Sequence, residues 1–157
     1  HVMDTKFIVI WVGFLLAVFA YKKWYSEALF LGSNLVLTGL LVLLLKNIYQ
    51  RPRPALLHLV EEKGFSFPSG HSLASTLVLG SLIIIVGQHV KNKTARYCLQ
   101  GLLVLGMVTI VVSRIYVGVH YPSDVLGSMI LGLAVLQFEY PLYDRLRFKW
   151  RFTGKQK

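Results

Sequence analysis

The sequence predicts an all-α protein, a polytopic bundle of transmembrane helices, and two observations lead to this prediction. Of the 157 residues, 55% are hydrophobic and only 15% are charged, with a mean hydropathy of +0.58. A typical soluble domain has about 25% charged residues. The apolar residues are also clustered into five uncharged runs, at 7–21, 28–45, 72–88, 97–113 and 125–138. Each run is a candidate to span a bilayer as a helix.

Polar residues at the ends of the runs indicate where each helix begins or stops. The first run ends at Lys22-Lys23, and Lys46 closes the second. The third run follows Pro68-Ser69-Gly70-His71, the fourth ends before Arg114, and the fifth follows the segment 120–124. At roughly 1.5 Å per residue the runs reach only about 21 to 27 Å, short of the hydrocarbon core of about 30 Å. Snorkelling lysines and interfacial aromatic residues are expected to extend them.

A large soluble bundle with buried helices is the alternative to a membrane protein. A 157-residue soluble domain can hardly bury five helices that are apolar on all faces. The membrane prediction is therefore favoured. We expect one domain over residues 1–157, because neither a repeat nor a low-complexity segment is evident. The single cysteine, Cys98, excludes an intrachain disulfide and a cysteine metal site.

The distribution of lysine and arginine predicts the orientation. Eleven of the seventeen lie in the turn after the first run, in the turn after the third run or in the C-terminal tail: Lys22, Lys23, Lys91, Lys93, Arg96, Arg145, Arg147, Lys149, Arg151, Lys155 and Lys157. Positive residues favour the cytoplasmic side, so the other side is predicted to be extracytoplasmic. The net charge of +10 is then largely a topology signal. Nucleic-acid binding is not favoured, because the basic residues are divided between two faces.

Three polar motifs lie at the predicted extracytoplasmic ends of the helices. They are Lys46, six residues, Arg53-Pro54; Pro68-Ser69-Gly70-His71; and Ser113-Arg114, five residues, His120, three residues, Asp124. This three-part pattern resembles that of the type-2 phosphatidic acid phosphatase family. The resemblance implies a membrane-embedded lipid phosphatase. Because members of this family commonly have six spans, we expect a first helix to precede this sequence in the intact protein; the alternative is a tag remnant before a start at Met3.

The residue types in the motifs suit the binding of a phosphate group. Lys46, Arg53 and Arg114 are fixed cations that can hold phosphate charge without a metal. Ser69 is predicted to cap the third helix, and Gly70 would let the backbone approach a ligand at the helix N-terminus. Each cation taken singly could be an ordinary snorkelling anchor, and a Ser-Gly helix start is usually only a cap. Their combination with this spacing predicts a phosphate site.

His120 and Asp124 are four residues apart, so the carboxylate is expected to orient the ring and stabilise its cation. The family resemblance implies that His120 attacks phosphorus to form a phosphohistidine. It also implies that His71 is the general acid that protonates the leaving oxygen. The alternative makes Asp124 a helix N-terminal charge and His120 an interfacial polar residue.

Several polar residues lie outside the three motifs. Arg51 is predicted to be a rim residue that, with Lys63, offers spare positive charge to a second phosphate. His58 and His89 are expected to be interfacial. Glu61-Glu62 is the only acidic pair in the long connection and does not suggest a magnesium cage, so neither a metal nor another cofactor is expected.

The leading functional hypothesis is therefore a metal-independent lipid phosphatase of the plasma membrane with an extracytoplasmic site. Its partners would be a phosphorylated lipid substrate and membrane lipids. Polyprenyl diphosphate and phosphatidylglycerophosphate are the favoured substrates, with a slight preference for the diphosphate. A lipid-binding or transport protein with an inactive phosphatase fold is an alternative from another class. Vanadium-dependent haloperoxidases have a related phosphate-like site, but they are soluble, and five apolar runs argue against that role.

Overall fold

The computed structural model describes residues 5–55 and 64–156, and every regular element within them is an α-helix. The five helices correspond one to one with the five apolar runs, which confirms the predicted all-α class. They are α1 (Thr5–Tyr21), α2 (Tyr25–Tyr49), α3 (Gly70–His89), α4 (Lys93–Tyr116) and α5 (Pro122–Phe152).

Four of the helices, α2 to α5, are long and apolar enough to cross a membrane, whereas the apolar part of α1, Ile8–Tyr21, is shorter. The outward faces of the long helices carry large exposed apolar side chains, among them Leu40, Leu43, Leu102 and Phe138. Such continuous apolar surface is stable in lipid and unfavourable in water. The chain is accordingly an integral membrane protein, as its composition predicted.

Helix α3 is the centre of the bundle and packs against α2, α4 and α5, while α1 packs on α2. Leu73 and Leu77 of α3 are completely buried. Small residues bring α5 close to α3: a Cβ atom added at Gly132 would lie 2.8 Å from Thr76 Cγ2. The hydroxyl of Thr76 itself donates to the carbonyl of Ser72 at 2.8 Å, so it is satisfied inside the apolar core.

The two ends of the bundle carry different polar groups. At one end α2 and α4 finish and α3 and α5 begin; this end also carries the loop after α2 and the turn 117–121, and we call it the motif end. At the other end, the opposite end, the turn 22–24, the turn 90–92 and the C-terminal part of α5 meet. Contacts of Glu27 with His89 and Arg151 join three helices there. Because successive helices run in alternating directions, all three sequence motifs lie at the same end of the bundle.

Candidate active site

The predicted site residues lie on helix ends or in the connections between them. Lys46 is in the last turns of α2, and Arg114 is in the last turn of α4. His71 is in the first turn of α3, and Asp124 is in the first turn of α5. His120 precedes α5 in the turn 117–121 and is buried, as are Arg114 and Asp124. The motifs, which are distant in the sequence, thus lie at one end of the bundle, where Arg53 contacts Val119 and Ser69 contacts Ser128.

The Asp124 carboxylate, which is completely buried, accepts hydrogen bonds on both oxygens. Oδ2 accepts from Ser66 Oγ at 2.5 Å and from the Tyr121 backbone N–H at 3.0 Å. Oδ1 accepts from Arg51 Nη1 at 2.5 Å. Asp124 is therefore both a helix N-terminal charge and part of a polar network at the site.

The predicted contact between Asp124 and His120 is close but indirect. His120 Nδ1 lies 4.0 Å from Asp124 Oδ2, which is beyond the length of a hydrogen bond. The same ring nitrogen lies 3.5 Å from Ser66 Oγ. The buried hydroxyl of Ser66 thus contacts both the carboxylate and the imidazole.

Arg51 does not have the spare charge that the sequence suggested. Its guanidinium forms an ion pair with Asp124, donates to Ser123 Oγ at 2.9 Å and lies over the Tyr121 ring, 4.3 Å from the centroid. The side chain is partly exposed, as expected of a rim residue, but the prediction of spare charge was wrong, because residues 50–55 carry the guanidinium onto the N-terminal turn of α5. Lys63, the other predicted spare cation, lies outside the described residues, as do His58, Glu61 and Glu62.

Arg53 connects the loop after α2 to the turn that carries His120. Its Nε donates to the carbonyl of Gly64 at 3.1 Å, and its Nη1 donates to the carbonyl of Val119 at 2.9 Å. Val119 directly precedes His120 in the chain. The guanidinium therefore holds the backbone beside the predicted nucleophile, and its phosphate-binding role remains a prediction.

Ser69 stands at the N-cap position of α3, but its side chain does not make the predicted capping bond. Its hydroxyl lies 2.9 Å from Ser72 Oγ, and its backbone N–H donates to Ser128 Oγ at 2.9 Å. Ser128 in turn donates to the carbonyl of Asp124 at 2.6 Å. Ser69 thus ties the start of α3 to the first turns of α5. A Cβ atom at Gly70 would lie 3.7 Å from Val42, an ordinary contact, so packing alone does not require glycine there.

A cavity of about 510 Å³ adjoins these groups at the motif end. Its lining consists of Pro54, Ala55, Ile115, Gly118, His120, Tyr121 and Pro122. The volume lies within the range of about 300 to 1,000 Å³ that is usual for small-molecule sites. His120 therefore borders a space large enough for a phosphate group and the adjoining part of a lipid. Within residues 5–55 and 64–156 we find no group of three or more potential metal-ligating side chains.

Motif spacing did not identify Ser66, Arg51 or Ser128 as part of this network. Ser66 lies two residues before Pro68, just outside the second motif, and Arg51 belongs to the first of two adjacent Arg-Pro pairs. A serine beside a phosphate motif and a duplicated arginine were the available signals. Neither specifies a contact with Asp124, because each contact crosses more than 50 residues of sequence.

Comparison with known proteins identifies the family of the chain. The model of the PAP2 superfamily matches residues 27–148. The chain belongs to the PAP2 superfamily. The resemblance seen in the three motifs is thereby confirmed.

Named relatives and a solved structure show the same likeness. Phosphatidylglycerophosphatase B of Bacillus subtilis is 37% identical over 123 residues, which cover 74% of this chain and 57% of that protein. Undecaprenyl-diphosphatase BcrC of the same organism is 30% identical over 89% of this chain and 71% of its own length. The crystal structure of a transmembrane PAP2-type phosphatidylglycerolphosphate phosphatase from Bacillus subtilis superposes with a TM-score of 0.83 and 26% identity. That superposition covers 92% of this chain and 73% of the other.

Proposed function

We propose that this chain hydrolyses a lipid phosphate or diphosphate ester through a phosphohistidine intermediate at the extracytoplasmic face of the plasma membrane. The observation that carries the proposal is the convergence of the motif residues at one end of a membrane bundle, with His120 bordering a cavity. The relatives named above are phosphatases of lipid substrates, which supports the same reaction.

In the proposed reaction, Lys46, Arg53 and Arg114 hold the negative charge of the phosphoryl group and of the transition state. Nε2 of His120 attacks phosphorus, and the bond from phosphorus to the lipid oxygen breaks. His71 supplies the proton that the departing oxygen needs. Water then attacks the phosphohistidine with His71 acting as base, which releases inorganic phosphate and restores His120.

A labelling experiment tests the intermediate. Brief mixing with lipid substrate that carries ³²P in its terminal phosphate should place acid-labile label on His120, and His120→Ala should abolish both label and turnover. The matched control is His89→Ala, which removes a histidine that is also paired with a buried carboxylate at the opposite end. Inversion of configuration at phosphorus, together with the absence of label, would show direct attack by water and overturn the mechanism.

The orientation rests on the charge distribution together with the fold. The turn 22–24, the turn 90–92 and the C-terminal part of α5 meet at the opposite end, and most of the lysines and arginines lie in or beside these segments. The positive-inside rule then makes the opposite end cytoplasmic and the motif end extracytoplasmic. In a Cys98→Ala background, cysteines replacing Lys93 and Ala55 should react with an impermeant maleimide from opposite sides. Reaction of both from one side would contradict the orientation.

The substrate class follows from the position of the cavity at the end of a lipid-exposed bundle. A phosphate held at the motif end would leave its acyl or prenyl chain in the bilayer, so we expect recognition to rest on phosphate and chain. Phosphatidylglycerophosphate and polyprenyl diphosphate meet this requirement, and the names of two relatives support them. The preference for the diphosphate was based on spare positive charge at Arg51 and Lys63. Because Arg51 pairs with Asp124, the argument from Arg51 no longer holds.

A further inference from the structure

We propose that Ser66 is a positioning residue that couples Asp124 to His120 and fixes the tautomer of the imidazole. The inference deepens the proposed function and rests on His120 being the nucleophile. Its basis is the position of one buried hydroxyl, 2.5 Å from Asp124 Oδ2 and 3.5 Å from His120 Nδ1. Ser66 is completely buried, so these protein groups rather than bulk water surround its side chain.

Counting donors and acceptors shows which way the hydroxyl points. The Asp124 carboxylate is met by three donors, Arg51, Ser66 and the backbone N–H of Tyr121, and so acts as an acceptor. A serine hydroxyl has one proton to donate and two lone pairs. At 2.5 Å from the carboxylate, the proton of Ser66 is committed to Asp124. A lone pair of Ser66 Oγ is then what faces His120.

The tautomer of His120 follows from that arrangement. A hydroxyl lone pair attracts Nδ1 only if Nδ1 carries the ring proton, whereas an unprotonated Nδ1 would bring two lone pairs together. The favoured neutral ring therefore has its proton on Nδ1 and none on Nε2. Nε2 is the atom that must attack phosphorus, so the hydroxyl presents the ring in its reactive form. The proton on Nδ1 stays in place when the bond from Nε2 to phosphorus forms.

The carboxylate does not hydrogen-bond the ring directly, because Asp124 Oδ2 lies 4.0 Å from Nδ1. Arg51 also offsets the charge of Asp124 through its own ion pair. The backbone places the hydroxyl between the two groups: the N–H of Ser66 donates to the carbonyl of Arg51 at 2.8 Å. Residues on either side of 56–63 thus deliver the cation and the hydroxyl to Asp124.

The test compares Ser66→Ala with Ser81→Ala. Ser81 is also a completely buried serine, and its hydroxyl donates to the carbonyl of Leu77 at 2.6 Å, away from the site. In ¹⁵N-histidine-labelled protein in detergent, the His120 ring, identified by its loss in His120→Gln, should show the Nδ1–H tautomer in the parent and in Ser81→Ala. In Ser66→Ala it should become a mixture of both tautomers.

Kinetics supply a second readout with phosphatidylglycerophosphate as the probe substrate. Loss of the hydroxyl should lower kcat about 10- to 100-fold, while KM changes less than about threefold. The same range is seen in metalloenzymes when the hydrogen-bond partner that orients a metal-binding histidine is removed. Ser81→Ala should match the parent in both constants. If Ser66→Ala unfolds, Ser66→Cys keeps the volume with a much weaker donor and should show the same two changes.

The role of Ser66 would be overturned if Ser66→Ala kept the Nδ1–H tautomer of His120, or if its kcat equalled that of Ser81→Ala. The tautomer is read on resting protein without substrate, so it can be altered even if no phosphohistidine is trapped. In that case the reaction mechanism fails and the positioning contact stands. Label on His120 together with an unaltered tautomer in Ser66→Ala would support the phosphohistidine mechanism and overturn the positioning role of Ser66.

Discussion

The motif end and the opposite end each bury a carboxylate beside a histidine and an arginine, yet they arrange these groups differently. At the opposite end Glu27 Oε1 lies 2.8 Å from His89 Nε2 and 3.9 Å from Arg151 Nη2. At the motif end Asp124 lies 4.0 Å from His120, and a serine hydroxyl contacts both. Direct pairing at one end and indirect coupling at the other is the first difference.

The second difference is what surrounds each histidine. The ring of His89 is packed against Trp24, with centroids 3.9 Å apart, and Tyr143 donates to Gln88 at 2.6 Å beside it. A cavity of about 490 Å³ near this end is lined by Tyr21, Lys22, Lys23 and Trp24, and neither Glu27 nor His89 contributes to that lining. His120, in contrast, borders the cavity at the motif end.

A buried histidine–carboxylate pair does not by itself distinguish the motif end from the opposite end, because both ends have one. At the opposite end the pair joins α2, α3 and α5, because its donors and acceptors come from all three helices. At the motif end the histidine borders a cavity. Access to a cavity, rather than pairing, separates the two ends.

The largest effect should come from neutralising the two carboxylates in turn. Asp124→Asn should lower kcat by about 100-fold, because Asp124 holds both Ser66 and the Tyr121 backbone beside His120. Glu27→Gln should change kcat by less than about threefold when activity is expressed per folded protein. Steady-state phosphate release from purified protein measures both. Comparable losses in the two variants would remove the distinction between the ends.

The next effect should appear in stability. His89→Ala removes the nearest side-chain partner from the buried Glu27 carboxylate, and leaving a buried polar group short of a hydrogen bond costs about 1 to 3 kcal/mol. The free energy of unfolding, measured by denaturant titration in mixed micelles, should fall by about that amount with kcat nearly unchanged. A stable but inactive variant would contradict the structural role of this pair.

The smallest effect sharpens the role of Arg51. Because its guanidinium pairs with Asp124, Arg51→Ala should lower turnover about 10-fold on polyprenyl diphosphate and phosphatidate alike. Arg145→Ala, which removes an exposed cation from α5, should leave both rates unchanged. A loss confined to the diphosphate would show that Arg51 contacts a second phosphate after all.

Sequence reasoning was most successful where the signal is local. The five apolar runs predicted five helices, and the lysines, histidines and prolines between them predicted their ends. The spacing of His120 and Asp124 correctly predicted that the two would lie near each other, since both are on one short segment before and within the first turn of α5. The predicted cap at Ser69 failed because Ser72, one turn along α3, and Ser128 of α5 offered its polar groups other partners.

By itself the sequence determined that the chain enters a membrane, where its helices lie and that its motifs share one end of the bundle. Transfer of apolar residues into lipid is additive along a segment, so composition and order suffice for these features. Only the tertiary structure decided that Arg51 pairs with Asp124 and that Ser66 lies between Asp124 and His120. Whether a hydrogen bond forms depends on differences of a few tenths of an ångström in the distance between two groups. When the groups lie on separate elements, that distance follows from how the helices and their connections pack together.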